Sequence, residues 1–200
     1  MDRQVLDNKS KSRLKFNYWR WNIMLYKTHV VGGLALGYVV FSNVNALNVN
    51  LMDSKSLIIA GAGLVIGSLF PDIDHQNSFL SRKVRPLSWI SSKILKHREF
   101  THSIAGTFLV YYLLKLILNK IGVDILLGDI FLKSFIIGMI SHILLDMLTV
   151  AGVVLFYPLS KARVGVGIFN KKIHIKIGVK ELIVMIILIF MAYLTYTSQI

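Results

Sequence analysis

The sequence predicts an all-α integral membrane helical bundle, with about four to five membrane helices and a small β-hairpin near the C-terminal part. Apolar residues make up 54% of its 200 residues, and the mean hydropathy of +0.61 is too high for an ordinary soluble domain. These residues are grouped in long runs separated by polar loops, as membrane-spanning helices require. Lysine and arginine are concentrated in alternate loops, which is typical of a chain with a fixed orientation in a membrane.

The apolar residues form five segments along the chain. A helix of about 20 residues crosses a hydrocarbon core of about 30 Å, so each segment is a candidate to span or partly span the bilayer. The second segment is short, and we expect it to continue into its flanks or to be shielded by other helices. Pro71 should end that helix, because proline cannot continue the backbone hydrogen bonds. The segments cover residues 28–47, 57–70, 104–118, 130–156 and 182–196.

Residues 1–25 are interpreted as a basic N-terminal arm, and residues 26–200 as the membrane-embedded domain. The arm contains a Tyr18-Trp19-Arg20-Trp21 cluster, whose rings and cation suit the headgroup layer of a membrane. A disordered tail is the alternative interpretation of the arm. Because its aromatic and basic residues leave no clean apolar stretch, we do not expect a cleaved signal peptide.

The β-hairpin is predicted from a change of period after the fourth apolar segment. Apolar residues there alternate with polar ones on both sides of Asn170-Lys171-Lys172, as expected for two half-buried strands joined by a turn. The alternating residues are Val164, Val166, Ile168, Ile173, Ile175, Ile177 and Val179.

The basic residues predict the orientation of the chain in the cell (inner or plasma) membrane. Residues 1–27 contain seven Lys and Arg, and residues 76–103 and 161–180 contain six each, against one in 42–56 and two in 119–134. The positive-inside rule therefore places the N-terminus and the loop 76–103 in the cytoplasm of a multi-pass protein. The net charge of +13 is explained by an anionic membrane surface, so nucleic acid is not an expected partner.

The candidate functional residues are donors that suit a metal ion. The chain has no cysteine, so imidazole and carboxylate groups must provide any metal site. His142 and Asp146 lie four residues apart and share one helix face. An ionisable pair inside an apolar segment is costly and usually marks a functional site that faces the bundle interior. The alternative is a hydrogen-bonded pair that joins two helices.

Six further donors map to the same predicted end of the bundle. Taken singly, each has an ordinary interpretation, such as a headgroup contact for His29 or a helix cap for Asp72. Taken together, eight donors are too many for one tetrahedral site and suit two divalent ions, for which we expect zinc, that share a carboxylate. The predicted ligands are His29, Asp72, Asp74, His75, His97, His102, His142 and Asp146.

The candidate ligands fall in four ordered motifs. The motifs are Tyr26-Lys27-Thr28-His29, Gly67-Ser68-Leu69-Phe70-Pro71-Asp72-Ile73-Asp74-His75, His97-Arg98-Glu99-Phe100-Thr101-His102-Ser103 and Gly138-Met139-Ile140-Ser141-His142-Ile143-Leu144-Leu145-Asp146. They resemble those of the YdjM-type membrane-bound metal-dependent hydrolases. The resemblance covers about residues 26–160 and implies an integral membrane protein with a metal site and a hydrolase activity. In ligand style the chain is also similar to all-helical zinc-dependent phospholipases C, which place His-x-x-x-Asp pairs on helices.

Two residues of the third motif are candidates for catalysis. Arg98 could clamp a phosphate oxygen, with a headgroup contact as the alternative. Glu99 is a candidate general base or a hydrogen-bond partner of a metal ligand. Thr101 or Ser103 is expected to cap the following helix. The sequence has no Gly-x-Ser-x-Gly elbow and no phosphate-binding P-loop, so it gives no support to serine hydrolysis or nucleotide-driven transport.

The function predicted from the sequence is metal-dependent hydrolysis of a phosphoester at the cytoplasmic membrane face. A lipid-like substrate would explain why the candidate ligands lie where apolar helices meet water, and membrane lipids are the expected partners. Two alternatives stay open at this point. One is a metal-ion transporter or metal-binding membrane protein, and the other is a non-catalytic membrane adaptor that binds a partner through its basic arm.

Overall fold

A computed structural model describes residues 26–43, 53–74, 100–149, 151–166 and 177–197, without the side chains of residues 74 and 177–181. These residues form five α-helices and no β-strand, so the predicted all-α class holds for the described part of the chain. The predicted arm, residues 1–25, lies outside it. The helices are α1 Tyr26–Asn43, α2 Ser54–Leu69, α3 Ile104–Lys120, α4 Ile125–Met147 and α5 Ile177–Thr197.

Helix α2 has a defined beginning and end. The Asp53 carboxylate accepts a hydrogen bond from the Ser56 backbone N–H (3.3 Å), which caps the helix. The Ser56 side chain and then its backbone N–H, as hydrogen-bond donors, hold the pKa of Asp53 below its usual value. The α-helix ends at Leu69, and the chain continues as a 3-10 helix, Phe70–Asp74, that contains Pro71. The sequence-based prediction that the α-helix ends before Pro71 is therefore confirmed.

Helices α2 and α4 run parallel and approach closely through glycines. A Cβ atom on Gly63 would lie 2.8 Å from the Phe131 carbonyl oxygen, and one on Gly67 would overlap the carbonyl of Phe135. Residues further along α2 meet residues further along α4, which fixes the parallel direction. Small residues allow such close backbone contact between membrane helices. The C-terminal ends of α2 and α4 consequently lie at the same end of the bundle.

Helix α1 packs antiparallel to both of these helices. A Cβ atom on Gly32 would meet Leu145 and Ser141 of α4, and one on Gly33 would meet Ser68 of α2. The first turn of α1 is therefore placed beside the last turns of α2 and α4.

Helix α3 returns its N-terminus to that same end. The Ser103 hydroxyl accepts a hydrogen bond from the Gly106 N–H (3.0 Å), so the predicted cap of α3 is confirmed for Ser103. A short turn follows α3, in which Gly122 adopts a φ of 71°, a conformation that glycine adopts without steric cost. Asp124 then caps α4 by accepting a hydrogen bond from the Leu127 N–H (3.0 Å).

The segment after α4 folds back onto the end of that helix. Val153 and Val164 form an isolated antiparallel bridge with hydrogen bonds of 3.0 and 2.8 Å, and the Val166 N–H donates to the Met147 carbonyl at 2.8 Å. The predicted hairpin is not confirmed. Ile177 and Val179, which we expected in its second strand, lie in α5, so that part of the prediction is wrong. The expected turn at residues 170–172 lies outside the described residues.

Two of the described helices are long and apolar enough to cross a membrane. They are the 20-residue stretch Ser54–Ile73 and the 23-residue stretch Ile125–Met147, whereas Leu182–Thr197 is a shorter apolar helix. The 3-10 helix after α2 supplies the length that the second apolar segment lacked. The predicted count of four to five membrane helices is not confirmed by this measure. Helix α5 exposes large apolar side chains, such as Ile187 and Phe190, as helices in contact with lipid do.

Candidate metal centre

Five ionisable side chains meet at the end of the bundle where α1 and α3 begin and α2 and α4 end. His29 lies in the first turn of α1, Asp72 in the 3-10 helix, and His102 just before the Ser103 cap of α3. His142 and Asp146 lie in the last turns of α4. The three histidines are at most 1% exposed. Such burial of titratable groups requires strong partners.

Asp146 is the centre of the cluster. Its Oδ1 lies 3.6 Å from the Nε2 of His29, and its Oδ2 lies 3.4 Å from the Nε2 of His102 and 3.6 Å from the Nε2 of His142. Asp72 approaches from the other side, with its Oδ1 3.8 Å from the Nε2 of His102 and 3.9 Å from that of His142. Each carboxylate is therefore shared between histidines from different helices.

These separations between nitrogen and oxygen atoms fit a shared metal ion better than direct hydrogen bonds. An N–H···O hydrogen bond has a donor–acceptor distance of about 2.7–3.2 Å. Two ligand atoms bound at about 2.0–2.1 Å to a tetrahedral zinc ion lie about 3.3 Å apart. The observed range of 3.4–3.9 Å is slightly longer than the second value. The separations are therefore compatible with a ligand set around an ion, and they also lie within the 4 Å reach of an ion pair.

The hydrogen bonds of the buried polar atoms in the cluster are also compatible with a bound metal ion. Both ring nitrogens of His29, the Nε2 atoms of His102 and His142 and the Oδ1 atom of Asp72 are buried and have no hydrogen-bond partner among the described residues. An unsatisfied buried polar group costs about 1–3 kcal/mol. A divalent ion would satisfy the inward-facing atoms together, so the donors present fit a metal.

A backbone carbonyl orients His142. Its Nδ1 lies 2.6 Å from the carbonyl oxygen of Ser68, and a carbonyl oxygen only accepts, so Nδ1 carries the proton. In the neutral imidazole the Nε2 lone pair then faces Asp72 and Asp146. Metal-binding histidines characteristically donate their outer N–H in this way. The parallel packing of α2 on α4 is what brings this carbonyl to His142.

His102 and His29 are held by their surroundings as well. The Nδ1 of His102 lies 3.1 Å from the Thr101 hydroxyl oxygen. If Nδ1 donates to that oxygen, the Nε2 lone pair faces Asp146. The His29 ring stacks on the ring of His142, with centroids 3.9 Å apart and an interplanar angle of 15°. The three imidazoles therefore form one contiguous group.

The structure brings together five of the eight predicted ligands, and their role as ligands stays a prediction. His142 and Asp146 are not an isolated pair, since Asp146 also faces His29 and His102. The groups within reach of one ion are His29 with Asp72 and His142, and His102 with His142 and Asp146. Outside the described part of the chain lie His75, His97, Arg98, Glu99 and the side chain of Asp74.

Sequence reasoning missed two groups that orient the histidines, the Ser68 carbonyl and the Thr101 hydroxyl. Thr101 was considered only as a helix cap, although its position next to His102 was a usable signal. The Ser68 carbonyl could not be identified from the sequence, because every residue has a backbone carbonyl and only the packing of the helices brings this one to His142.

Comparisons with known proteins identify relatives that are named as inner membrane proteins, in agreement with the apolar helices. A family model described as YdjM inner membrane protein matches residues 24–199. The uncharacterized protein YvsG of Bacillus subtilis (strain 168) is 32% identical over 148 residues, which are 74% of this chain and 81% of that protein. The inner membrane proteins YdjM of Escherichia coli (strain K12) and Shigella flexneri are each 40% identical over 97 residues, 47% of this chain and 46% of theirs.

The match to the two YdjM proteins spans about half of their length. No solved structure matches the chain. The family model nevertheless covers most of the chain, including all five residues of the cluster. The chain therefore belongs to the YdjM family of inner membrane proteins.

Proposed function

We propose that the protein is a membrane-bound metal-dependent hydrolase that cleaves a phosphoester at the cytoplasmic face of the membrane. The observation that carries this proposal is the pair of overlapping ligand groups, His29 with Asp72 and His142 and His102 with His142 and Asp146, in which five buried polar atoms have no hydrogen-bond partner among the described residues. Maintaining such a cluster is costly unless a ligand satisfies it.

The ion in this proposal is zinc, which binds imidazole and carboxylate ligands. Three imidazoles and two carboxylates, without thiolates, suit zinc among the common divalent metals. The Nε2 atom of His142 has one lone pair and serves one ion only. Asp146 directs Oδ2 at His102 and His142 but Oδ1 at His29, so it is the carboxylate that two ions would share. Asp74, His75 and His97 are the candidates to complete a second ion's ligand set.

Each of these residues can be assigned a role in phosphoester hydrolysis. A bound divalent ion supplies a water of lowered pKa and polarises a phosphoryl oxygen. His142, whose ring is oriented by the Ser68 carbonyl, and Asp146 are both buried and would bind the ion from the protein interior. The Asp72 side chain is 18% exposed, so it lies on the side from which a substrate would enter. Arg98 would bind a phosphate oxygen, and Glu99 would accept a proton from water.

The position of the cluster favours hydrolysis over transport. A transporter binds its ion near the middle of the membrane and needs polar groups leading to both sides. The five donors lie instead at one end of the helices, and the basic segment 76–103, which follows Asp72 in the sequence, would attract an anionic substrate. This placement supports an interfacial enzyme.

The test combines metal content with turnover. The purified protein and the variants His142→Ala and Asp146→Ala should be compared for bound zinc and for hydrolysis of phosphatidylglycerol and of bis(p-nitrophenyl) phosphate. Asp129→Asn is the matched control, since Asp129 is on the same helix and pairs with Lys133 at 2.6 Å, away from the cluster. We expect the first two variants to lose both zinc and turnover. If the zinc-loaded wild-type protein cleaved neither phosphoester, this result would contradict the proposed hydrolase activity.

A further inference from the structure

A large apolar groove runs between α3 and α4. Its volume is about 560 Å³, within the range of about 300–1,000 Å³ typical of small-molecule sites. Its lining is aliphatic and aromatic apart from Thr107 and Lys133. The residues that define it are Ile104, Phe108 and Tyr111 of α3 and Ile140, Leu144 and Met147 of α4.

One end of this groove lies at the same level of α4 as the metal centre. Ile104 follows His102 by two residues, Ile143 follows His142, and Met147 follows Asp146, and all three line the groove. The Ile104 N–H also donates to the carbonyl of Leu155 at 3.0 Å, which fixes this end. A molecule that fills the groove therefore has one end at the level of the cluster, on a neighbouring face of α4.

Two of the polar side chains on the lining, Thr107 and Lys133, are already used within the protein. The Thr107 hydroxyl donates to the Ser103 carbonyl at 3.0 Å, and the Lys133 ammonium lies 2.6 Å from the Asp129 carboxylate. They offer little to a polar ligand, so the groove suits hydrocarbon.

The groove is long enough to hold a lipid chain. Its α4 side extends from Lys133 to Met147, which is about 21 Å at 1.5 Å per residue. One leaflet of a hydrocarbon core about 30 Å thick is about 15 Å deep. A chain whose headgroup lies at the cluster would fit along α4 through the whole leaflet.

We propose that the groove between α3 and α4 binds one acyl chain of a membrane phospholipid and thereby presents its phosphate headgroup to the cluster. This inference rests on the proposed function for its substrate, while chain binding itself is measured independently of turnover. The occupant is a phospholipid because the helices lie in a membrane, and the basic segment 76–103 that follows Asp72 in the sequence favours an anionic headgroup.

The test fills the groove with a larger side chain. Ile140→Trp and Leu144→Trp place an indole in it, and Ile187→Trp on the exposed face of α5 is the matched control, because Ile140, Leu144 and Ile187 are 43%, 49% and 54% exposed. Each protein is reconstituted with phosphatidylglycerol, extracted in detergent and analysed by native mass spectrometry for retained phospholipid. We expect roughly tenfold less retention in the two groove variants, with wild-type retention in the control.

Zinc content reports whether each variant is folded. Wild-type retention in either zinc-loaded groove variant, or equal loss in the Ile187→Trp control, would overturn the groove assignment. Loss confined to the groove variants supports it, even if no phosphoester is cleaved. In that case the hydrolase proposal fails and chain binding stands.

Discussion

The Asp146→Asn substitution is the sharpest perturbation of the cluster. Asparagine keeps the size of the side chain and removes the negative charge. The Asp146 oxygens lie 3.4–3.6 Å from the Nε2 atoms of His29, His102 and His142, so all three imidazoles lose a charged neighbour at once, although Asp72 remains near His102 and His142.

The expected loss of zinc affinity can be estimated from the position of Asp146 in the cluster. Removing a residue that only orients a ligand costs about 10–100-fold in metal affinity, which is about 1.4–2.7 kcal/mol. Asp146 is positioned as a direct ligand, so its loss should exceed the upper value. We therefore expect at least roughly a hundredfold weaker zinc binding.

Competition with a chromophoric zinc chelator, performed on detergent-purified protein, measures this affinity. Asp129→Asn is the control, because that carboxylate is 46% exposed and pairs with Lys133. Wild-type zinc affinity in Asp146→Asn would refute the placement of Asp146 in the site.

Three further predictions concern the surroundings of the site. Thr101→Val removes the hydroxyl beside His102 and should weaken zinc binding by about 10–100-fold in the same competition assay. Gly67→Ala forces a methyl group against the Phe135 carbonyl and should lower the free energy of unfolding by about 1–3 kcal/mol, whereas Gly61→Ala meets nothing within 4 Å and should not destabilise the protein in detergent thermal unfolding. Removal of zinc by a chelator should lower the unfolding temperature, because zinc at about 1,000 times its Kd stabilises the protein by about 4 kcal/mol.

A specific result would contradict each of these three predictions. Unchanged zinc affinity in Thr101→Val would mean that its hydroxyl does not orient His102. Equal unfolding temperatures for the two alanine variants would contradict the close contact between α2 and α4. A wild type whose unfolding is insensitive to both zinc and chelator would indicate that the cluster binds no metal in the folded state.

The sequence was informative where residue chemistry alone restricts the structure. Pro71 predicted the end of the α-helix, and Ser103 was correctly considered as the cap of α3. The i, i+4 spacing of His142 and Asp146 within an apolar segment predicted an inward-facing pair. The structure places that pair beside Asp72 and His102, although 30 residues separate these two in the sequence.

The sequence predicted the structure less well where the packing of helices, rather than the local residue pattern, determines the conformation. Ile177 and Val179 alternate as a strand would, yet they belong to α5, because a helix satisfies its backbone hydrogen bonds within the apolar segment. The parallel contact of α2 with α4 depends on Gly63 and Gly67 meeting α4 backbone atoms. Neither the contact nor the Ser68 carbonyl that it brings to His142 could be inferred from residue types.

The most direct test of the central claim is X-ray absorption spectroscopy at the zinc edge of the purified, zinc-loaded protein. The proposed site predicts nitrogen and oxygen neighbours at about 2.0–2.1 Å, with the outer-shell scattering of imidazoles. It also predicts that this imidazole signal falls in His142→Ala. A spectrum without imidazole scattering, or one that is unchanged in His142→Ala, would contradict a metal centre built from these residues.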